Sequence, residues 1–300
     1  VMLGRMMGAA HRELLVRGLV DALVVRLSDI LRAAFIHSAA GAQPDALRAS
    51  VGAARGDEFD FAVMSRLVGR RAPRDELPAA RRARIEGSLA TLRAQRFFPD
   101  PKAAPAEGSP AHEFRYADCA SAAAAFRDRL PALVETVKAM AVAELEAGGR
   151  YDEAHHDAFF AGYGDHALTA EDLALFPDYL VCIEPGRNAA PENANLMEML
   201  SSGLPVKVLV ESGDALEEAA IGTGGFAFGV RSSRLAMTAT SLGGVFVLQA
   251  PGSNLHALRS RIAAGMRHRG PALFSVFAGS DAPAAGLPPY LTAAAAMQSR

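Results

Sequence analysis

The feature that most constrains this chain is a change of rhythm at Pro177. Before it, apolar residues recur at helical spacing; after it, they gather into short runs. From Glu13 to Phe35, Leu15, Leu19, Leu23, Leu27 and Leu31 return every four residues with charges between them, which predicts an amphipathic helix. Pro44 and Asp45 open a second, short helix, and Phe59 to Val68 reads as a third, interrupted by Pro73. Residues 79 to 98 read as a strongly basic helix with Ile85, Leu89 and Leu92 on its inner side. Ala120 to Ala147 is helical in pattern, with a break expected at Pro131, where a new helix can begin, and a stop at Gly148-Gly149. Thr169 with Asp172 has the form of a capping box for a short helix ending before Pro177.

Beyond Pro177, Tyr179 to Ile183, Val206 to Val210, Val245 to Leu248 and Leu273 to Phe277 are short and rich in β-branched or aromatic residues, as expected of strands buried on both faces. Helical patterns separate them, at Glu192 to Ser202, Ser232 to Leu242 and Asn254 to Met266. This alternation predicts an α/β fold, a mostly parallel sheet with helices on both faces, preceded by an all-helical N-terminal region. Pro99, Pro101, Pro105, Gly108 and Pro110 mark residues 99–111 as a linker or surface loop. The expected organisation is a helical region over 1–98, that linker, and an α/β domain over 112–300.

Charge and cysteine content remove several function classes. Lys+Arg 31 against Asp+Glu 33 gives a net charge of -2, which argues against the positive field of a nonspecific nucleic-acid binder. The basic helix is therefore read as a solvated face with Glu86 close by, in preference to an RNA surface. Cys119 and Cys182 have no CxxC companion, so neither a zinc ribbon nor an iron-sulfur cluster can be built from this chain, and a reducing cytoplasm fits. Arg12, Arg17, Asp21, Arg26, Asp29 and Arg32 interrupt the N-terminal apolar stretch too often for a membrane span, and no signal-peptide pattern stands out. The chain starts at Val1 and stops at Arg300 within an alanine-rich run, as expected of a piece of a longer polypeptide.

In an open parallel sheet, ligands bind beyond the carboxyl ends of the strands. Two loops qualify: Glu184-Pro185-Gly186-Arg187-Asn188, and Glu211 through Asp214, Glu217 and Glu218 to Gly222-Thr223-Gly224-Gly225. Glycines let a backbone approach phosphate and carboxylates can hold magnesium, although a plain glycine-rich connection has the same composition. No Gly-x-Gly-x-x-Gly turn, Walker lysine or Gly-x-Ser-x-Gly elbow accompanies any strand. His155, His156, Asp157, Asp165 and His166 could ligate zinc or iron, but their spacing matches no helical His-x-x-x-His pair. With Phe159, Phe160 and Tyr163 beside them, a packed surface loop is the preferred reading. Glu144 and Glu146 fit an ordinary amphipathic helix and call for no role.

The order from Tyr179 to Ala278 resembles the thiamine-diphosphate-binding domain of the pyruvate (2-oxoacid):ferredoxin oxidoreductase family. The resemblance is carried by Met199-Leu200-Ser201-Ser202-Gly203 leading into Val206-Lys207-Val208-Leu209-Val210, then Gly222-Thr223-Gly224-Gly225. The run from Leu235 to Val247 and Gly270-Pro271-Ala272-Leu273 complete it. It covers about the last third of the chain and implies a thiamine-diphosphate-binding-like fold, with thiamine diphosphate and magnesium as cofactors. It places Glu184, Gly186, Asn188, Gly222, Thr223, Gly224 and Gly225 around the cofactor. It also implies an oxidoreductase of oxidative decarboxylation that works with a partner domain or subunit, such as ferredoxin or an iron-sulfur module, and with neither nucleic acid nor membrane.

The sequence departs from that family at the metal. The family's Gly-Asp-Gly turn is Glu184-Pro185-Gly186 here, with Pro185 in place of the Asp ligand; Gly222 stands in place of the Asn ligand. Proline supplies no carboxylate and glycine no side-chain oxygen, so cofactor binding is expected to be impaired. Two functions remain open: a 2-oxoacid:ferredoxin oxidoreductase-like domain with residual chemistry, or a pseudoenzyme kept as a docking or scaffold domain of a larger redox protein.

Overall fold

The computed structural model describes residues 2–51, 59–69, 77–98, 111–184, 190–212 and 232–278, together with 288 and 291. Five strands, β1 (Arg115–Tyr116), β2 (Tyr179–Ile183), β3 (Val206–Ser212), β4 (Phe246–Pro251) and β5 (Ala272–Phe277), form one sheet in the order β1-β2-β3-β5-β4. Every pairing is parallel. The helices are α1 (Met2–His37), α2 (Pro44–Val51), α3 (Phe61–Gly69), α4 (Ala79–Ala94), α5 (Cys119–Ala147), α6 (Glu153–Ala161), α7 (Ala170–Leu173), α8 (Ala190–Ser201), α9 (Ser232–Thr240) and α10 (Arg259–Arg267). This is the α/β architecture expected from the change of rhythm, with a helical N-terminal region before it.

The strand residues alternate between two cores, as the period of two demands. On one face Tyr179, Val181, Ile183, Val206, Val208, Val210 and Leu273 pack with Leu196, Met199 and Leu200 of α8, Leu235 and Ala239 of α9, and Cys119 and Ala122 of α5. On the other, Leu248, Ala272 and Phe274 pack with Ile262 of α10. Helix α10 comes so close that a Cβ on Gly265 would lie 2.5 Å from the Phe246 ring and 2.7 Å from that of Phe274. The reversal of strand order at β4 and β5 puts α10 opposite α8 and α9, because each crossover keeps its right hand. Strand β1 has only two residues and no sequence signal of its own.

The chain forms two compact units, one of Val1–Arg17, Arg96–Pro131 and Gly164–Arg300, the other of Gly18–Gln95 and Ala132–Tyr163. The sheet belongs to the first. In the second, α4 buries Ile85, Leu89 and Leu92, as its spacing predicts, but ends at Ala94 with Gln95 extended. Helix α1 corrects its own pattern: Leu19 is exposed, while Val20, Leu23 and Leu27 are buried. A strict four-residue row drifts around a helix with 3.6 residues per turn, so the buried seam alternates steps of three and four.

Helix α5 also differs from expectation, since it runs unbroken through Pro131. A proline costs one backbone bond, and the helical turns before and after it within α5 sustain the rest. Its end is as predicted. Gly149 takes φ 62°, the Arg150 amide donates to the Leu145 carbonyl at 2.8 Å and the Gly149 amide to that of Glu146 at 3.1 Å. These are the paired bonds of a Schellman stop. Thr169 and Asp172 close the reciprocal capping box at the start of α7.

Candidate functional site

Strands β2 and β3 are neighbours in register, Ile183 opposite Val210, so Glu184 and Glu211, where the two segments singled out in the sequence begin, lie at one edge of the sheet. Glu184, directly after β2, is exposed, and Glu211 near the end of β3 is half-buried. Pro185, Gly186, Asn188, Asp214, Glu217, Glu218, Gly222, Thr223, Gly224 and Gly225 lie outside the described residues.

Two helices also begin at this edge. Asp118 caps α5 by accepting from the Ser121 amide at 2.7 Å and the Ser121 hydroxyl at 3.0 Å. Glu192, in the first turn of α8, accepts from the Cys119 amide at 2.7 Å. A thiol at a helix start is often activated by the helix dipole. Here burial, then the Glu192 and Asp118 carboxylates, drive the Cys119 thiol upward, so it stays protonated. Cys119 is packing rather than nucleophile, and Glu192 is already engaged in holding α5 to α8. Sequence spacing gave no sign of this link, which joins residues far apart in the chain.

Among the described residues, Glu184 and Glu211 bring carboxylate oxygens to this edge.

At the opposite, amino edge of the sheet, Lys207 is buried within what reads as an apolar run. Its ammonium donates to the His268 carbonyl at 2.6 Å and the Gly270 carbonyl at 2.7 Å, and Asp178 Oδ1 is 3.7 Å away. These partners keep the charge satisfied and tie the turn before β5 to β3.

His155, His156 and Asp157 are helical, correcting the surface-loop reading for them: they lie in α6, capped by Asp152, whose side chain accepts from the Ala154 amide at 3.0 Å, while Asp165 and His166 lie in a separate single 3-10 turn, Asp165–Ala167. The same carboxylate pairs with His155 Nδ1, and the Asp152 amide donates to His156 Nδ1 at 2.8 Å. Tyr151 donates to Asp157 at 2.8 Å. Local capping explains these polar residues, and among the described residues no group of three or more His, Cys, Asp or Glu could hold a metal.

Glu146 overturns the reading that it needs no role. It is 1% exposed and accepts from Arg81 Nε and Arg84 Nε, both at 2.8 Å. Arg84 continues to Glu153 at 3.0 Å and lies 4.0 Å over the Tyr151 ring. Two arginines of the basic helix thus face a buried carboxylate, and Arg93 donates to Ser28 at 3.1 Å.

No family model matches the chain, and neither a curated protein nor a solved structure shows a match to it. No helix among the described residues is long and apolar enough to cross a membrane.

Proposed function

We propose that residues 112–300 are a degenerate thiamine-diphosphate-fold domain of the 2-oxoacid:ferredoxin oxidoreductase kind, impaired in cofactor binding and retained as a docking or scaffold domain beside an iron-sulfur or ferredoxin module. The observation that supports this reading is the parallel pairing of β2 with β3, at whose carboxyl ends the two segments of the resemblance begin with Glu184 and Glu211. The carboxylates there, with proline and glycine at the ligand positions, favour the silent form over residual oxidative decarboxylation. A diphosphate entering without its cation would meet the negative charges of Glu184 and Glu211.

Calorimetry of the whole chain with magnesium thiamine diphosphate tests this directly. Heat that does not saturate is expected; saturable magnesium-dependent binding in the low micromolar range, about -8 kcal/mol, overturns the impaired-binding reading. Repair tests the ancestry. Glu184→Gly, Pro185→Asp and Gly222→Asn together are expected to give a magnesium-dependent thermal shift with thiamine diphosphate that none of them gives alone, because the metal needs its ligands at once. A folded triple variant with no such shift removes the thiamine-diphosphate reading.

A further inference from the structure

The charges of this chain are segregated along its length. From Ala219 to Ser280 there are six arginines and two histidines and no acidic residue, while all 33 Asp and Glu lie elsewhere. Arg259, Arg261, Arg267 and Arg269 of that stretch lie on α10 or just after it, and each is exposed. Ile262 and Gly265 form the buried side of the helix; Ser260 and Ala264 are exposed with the arginines. At 100° per residue, Arg259, Arg267 and Arg261 span the outer side over about 12 Å, with only the small side chains of Ser260, Ala263 and Ala264 between them. Among the described residues these three arginines make no side-chain hydrogen bond or ion pair.

Nothing in the helix itself calls for them. Arg259 and Arg261 stand in the first turn of α10, at the positive end of its dipole, where carboxylates stabilise and cations oppose. That turn holds no acidic residue, and Leu258 at the N-cap gives no side-chain bond. Local rules broken without local gain mark positions kept for another purpose. Among the described residues from 252 to 278 no large apolar side chain is exposed. The face thus lacks both the anchors that a membrane surface takes and the rings on which single-stranded bases stack. A duplex would also meet the field of a chain that is net acidic outside this stretch. The carboxylates of a second protein can be confined to the arginines, and one carboxylate of this chain already sits beside them: Arg269 Nη1 is 3.5 Å from Glu171 Oε1.

We propose that the arginine face of α10 docks the acidic surface of a partner protein, whose Asp and Glu side chains are held by the forked guanidinium groups of Arg259, Arg261 and Arg267. This goes beyond the scaffold role above, which names no surface. No cofactor takes part, so the docking face stands even where the thiamine-diphosphate reading falls.

Fluorescence anisotropy of labelled decaglutamate with the full chain tests it, at low ionic strength where exposed charges are least screened. Saturable binding is expected, weakened about tenfold by Arg259→Glu with Arg261→Glu, since two attractive pairs become repulsive. Arg26→Glu with Arg32→Glu makes the same change of charge at exposed positions of α1 and is expected to alter binding by less than about twofold. The first pair also puts carboxylates at the positive end of α10, so its thermal midpoint is expected to equal or exceed that of the unmodified chain. No binding of decaglutamate, an equal loss in both pairs, or a lowered midpoint for the first pair overturns the proposal. Tighter binding of decathymidylate or of phosphatidylserine vesicles than of decaglutamate gives the face to another polyanion and overturns it as well. So does self-association of the chain that the first pair abolishes.

Discussion

The sheet-bearing unit and the helical unit solve the same problem by different means. In the sheet, backbone pairing sets where each strand lies, so the side chains need only alternate: Val208 to one core, Leu209 to the other. The deeply buried ammonium of Lys207 ends on two backbone carbonyls, with the buried Asp178 carboxylate 3.7 Å away. In the helical unit each helix satisfies its own backbone, and nothing in that bonding says which helix lies beside which. There the arrangement is specified by side chains, above all by Glu146 of α5 held between Arg81 and Arg84 of α4. The lesson is that interchangeable apolar residues suffice where the backbone orients the parts, whereas helices call for particular polar pairs.

The largest effect is expected in the sheet. Leu273→Ala removes a side chain with 0% exposure at the centre of the first core. It should cost about 4 kcal/mol, read by denaturant unfolding. Hydrogen exchange should show the loss in residues 179–277. A cost near that of a surface substitution breaks the claim that apolar burial is what this unit rests on.

Glu146→Ala should cost about 3 kcal/mol, because it leaves two guanidinium groups facing a position that excludes water. Glu146→Gln, which keeps the shape and drops the charge, should cost less. If both leave the exchange of α4 and α5 amides unchanged, the helical unit does not depend on its polar pair. Gly265→Ala should cost about 2 kcal/mol, since its methyl meets two aromatic rings that must shift. A neutral result means that Phe246 and Phe274 have room to move.

The smallest effect is the response to pH, and it has opposite sense in the two units. In the sheet-bearing unit His112, with its ring 4.9 Å from that of Phe97, is lowered to about 4 by burial and then by the charges of Arg129 and Arg96. The stability it lends is complete above the ordinary histidine value of 6.5 and is lost as pH falls through about 4. In the helical unit Tyr151 is raised to about 12 by burial and by its bond to Asp157. Its contribution is present below the ordinary value of 10 and is lost as pH rises through about 12. Ring resonances of the two residues followed by NMR report both midpoints; values near those of free side chains would erase the contrast.

Much of the architecture is legible in the sequence for the same reason that makes the sheet robust. The run Tyr179–Ile183 is β2 residue for residue, and the stop at Gly149 and the box at Thr169 rest on rules internal to a few residues. What misled was also local. Phe159, Phe160 and Tyr163 suggested a packed loop where Asp152 caps a helix, and leucines at every fourth position hid a buried seam that steps aside to Val20. Of the residues that the resemblance assigns to a cofactor, Glu184 alone lies among the described residues.

The sequence by itself determined the class of fold and the order of its elements apart from β1 and α6, because hydrophobic period and side-chain chemistry are properties of neighbouring residues. The tertiary structure decided that β5 lies between β3 and β4, that Glu192 binds the amide of Cys119, and that Glu146 joins Arg81 and Arg84. Each of these is a choice of partner between segments distant along the chain. Such a choice is settled by how backbone groups and charges find satisfaction once water is excluded, which no local pattern encodes.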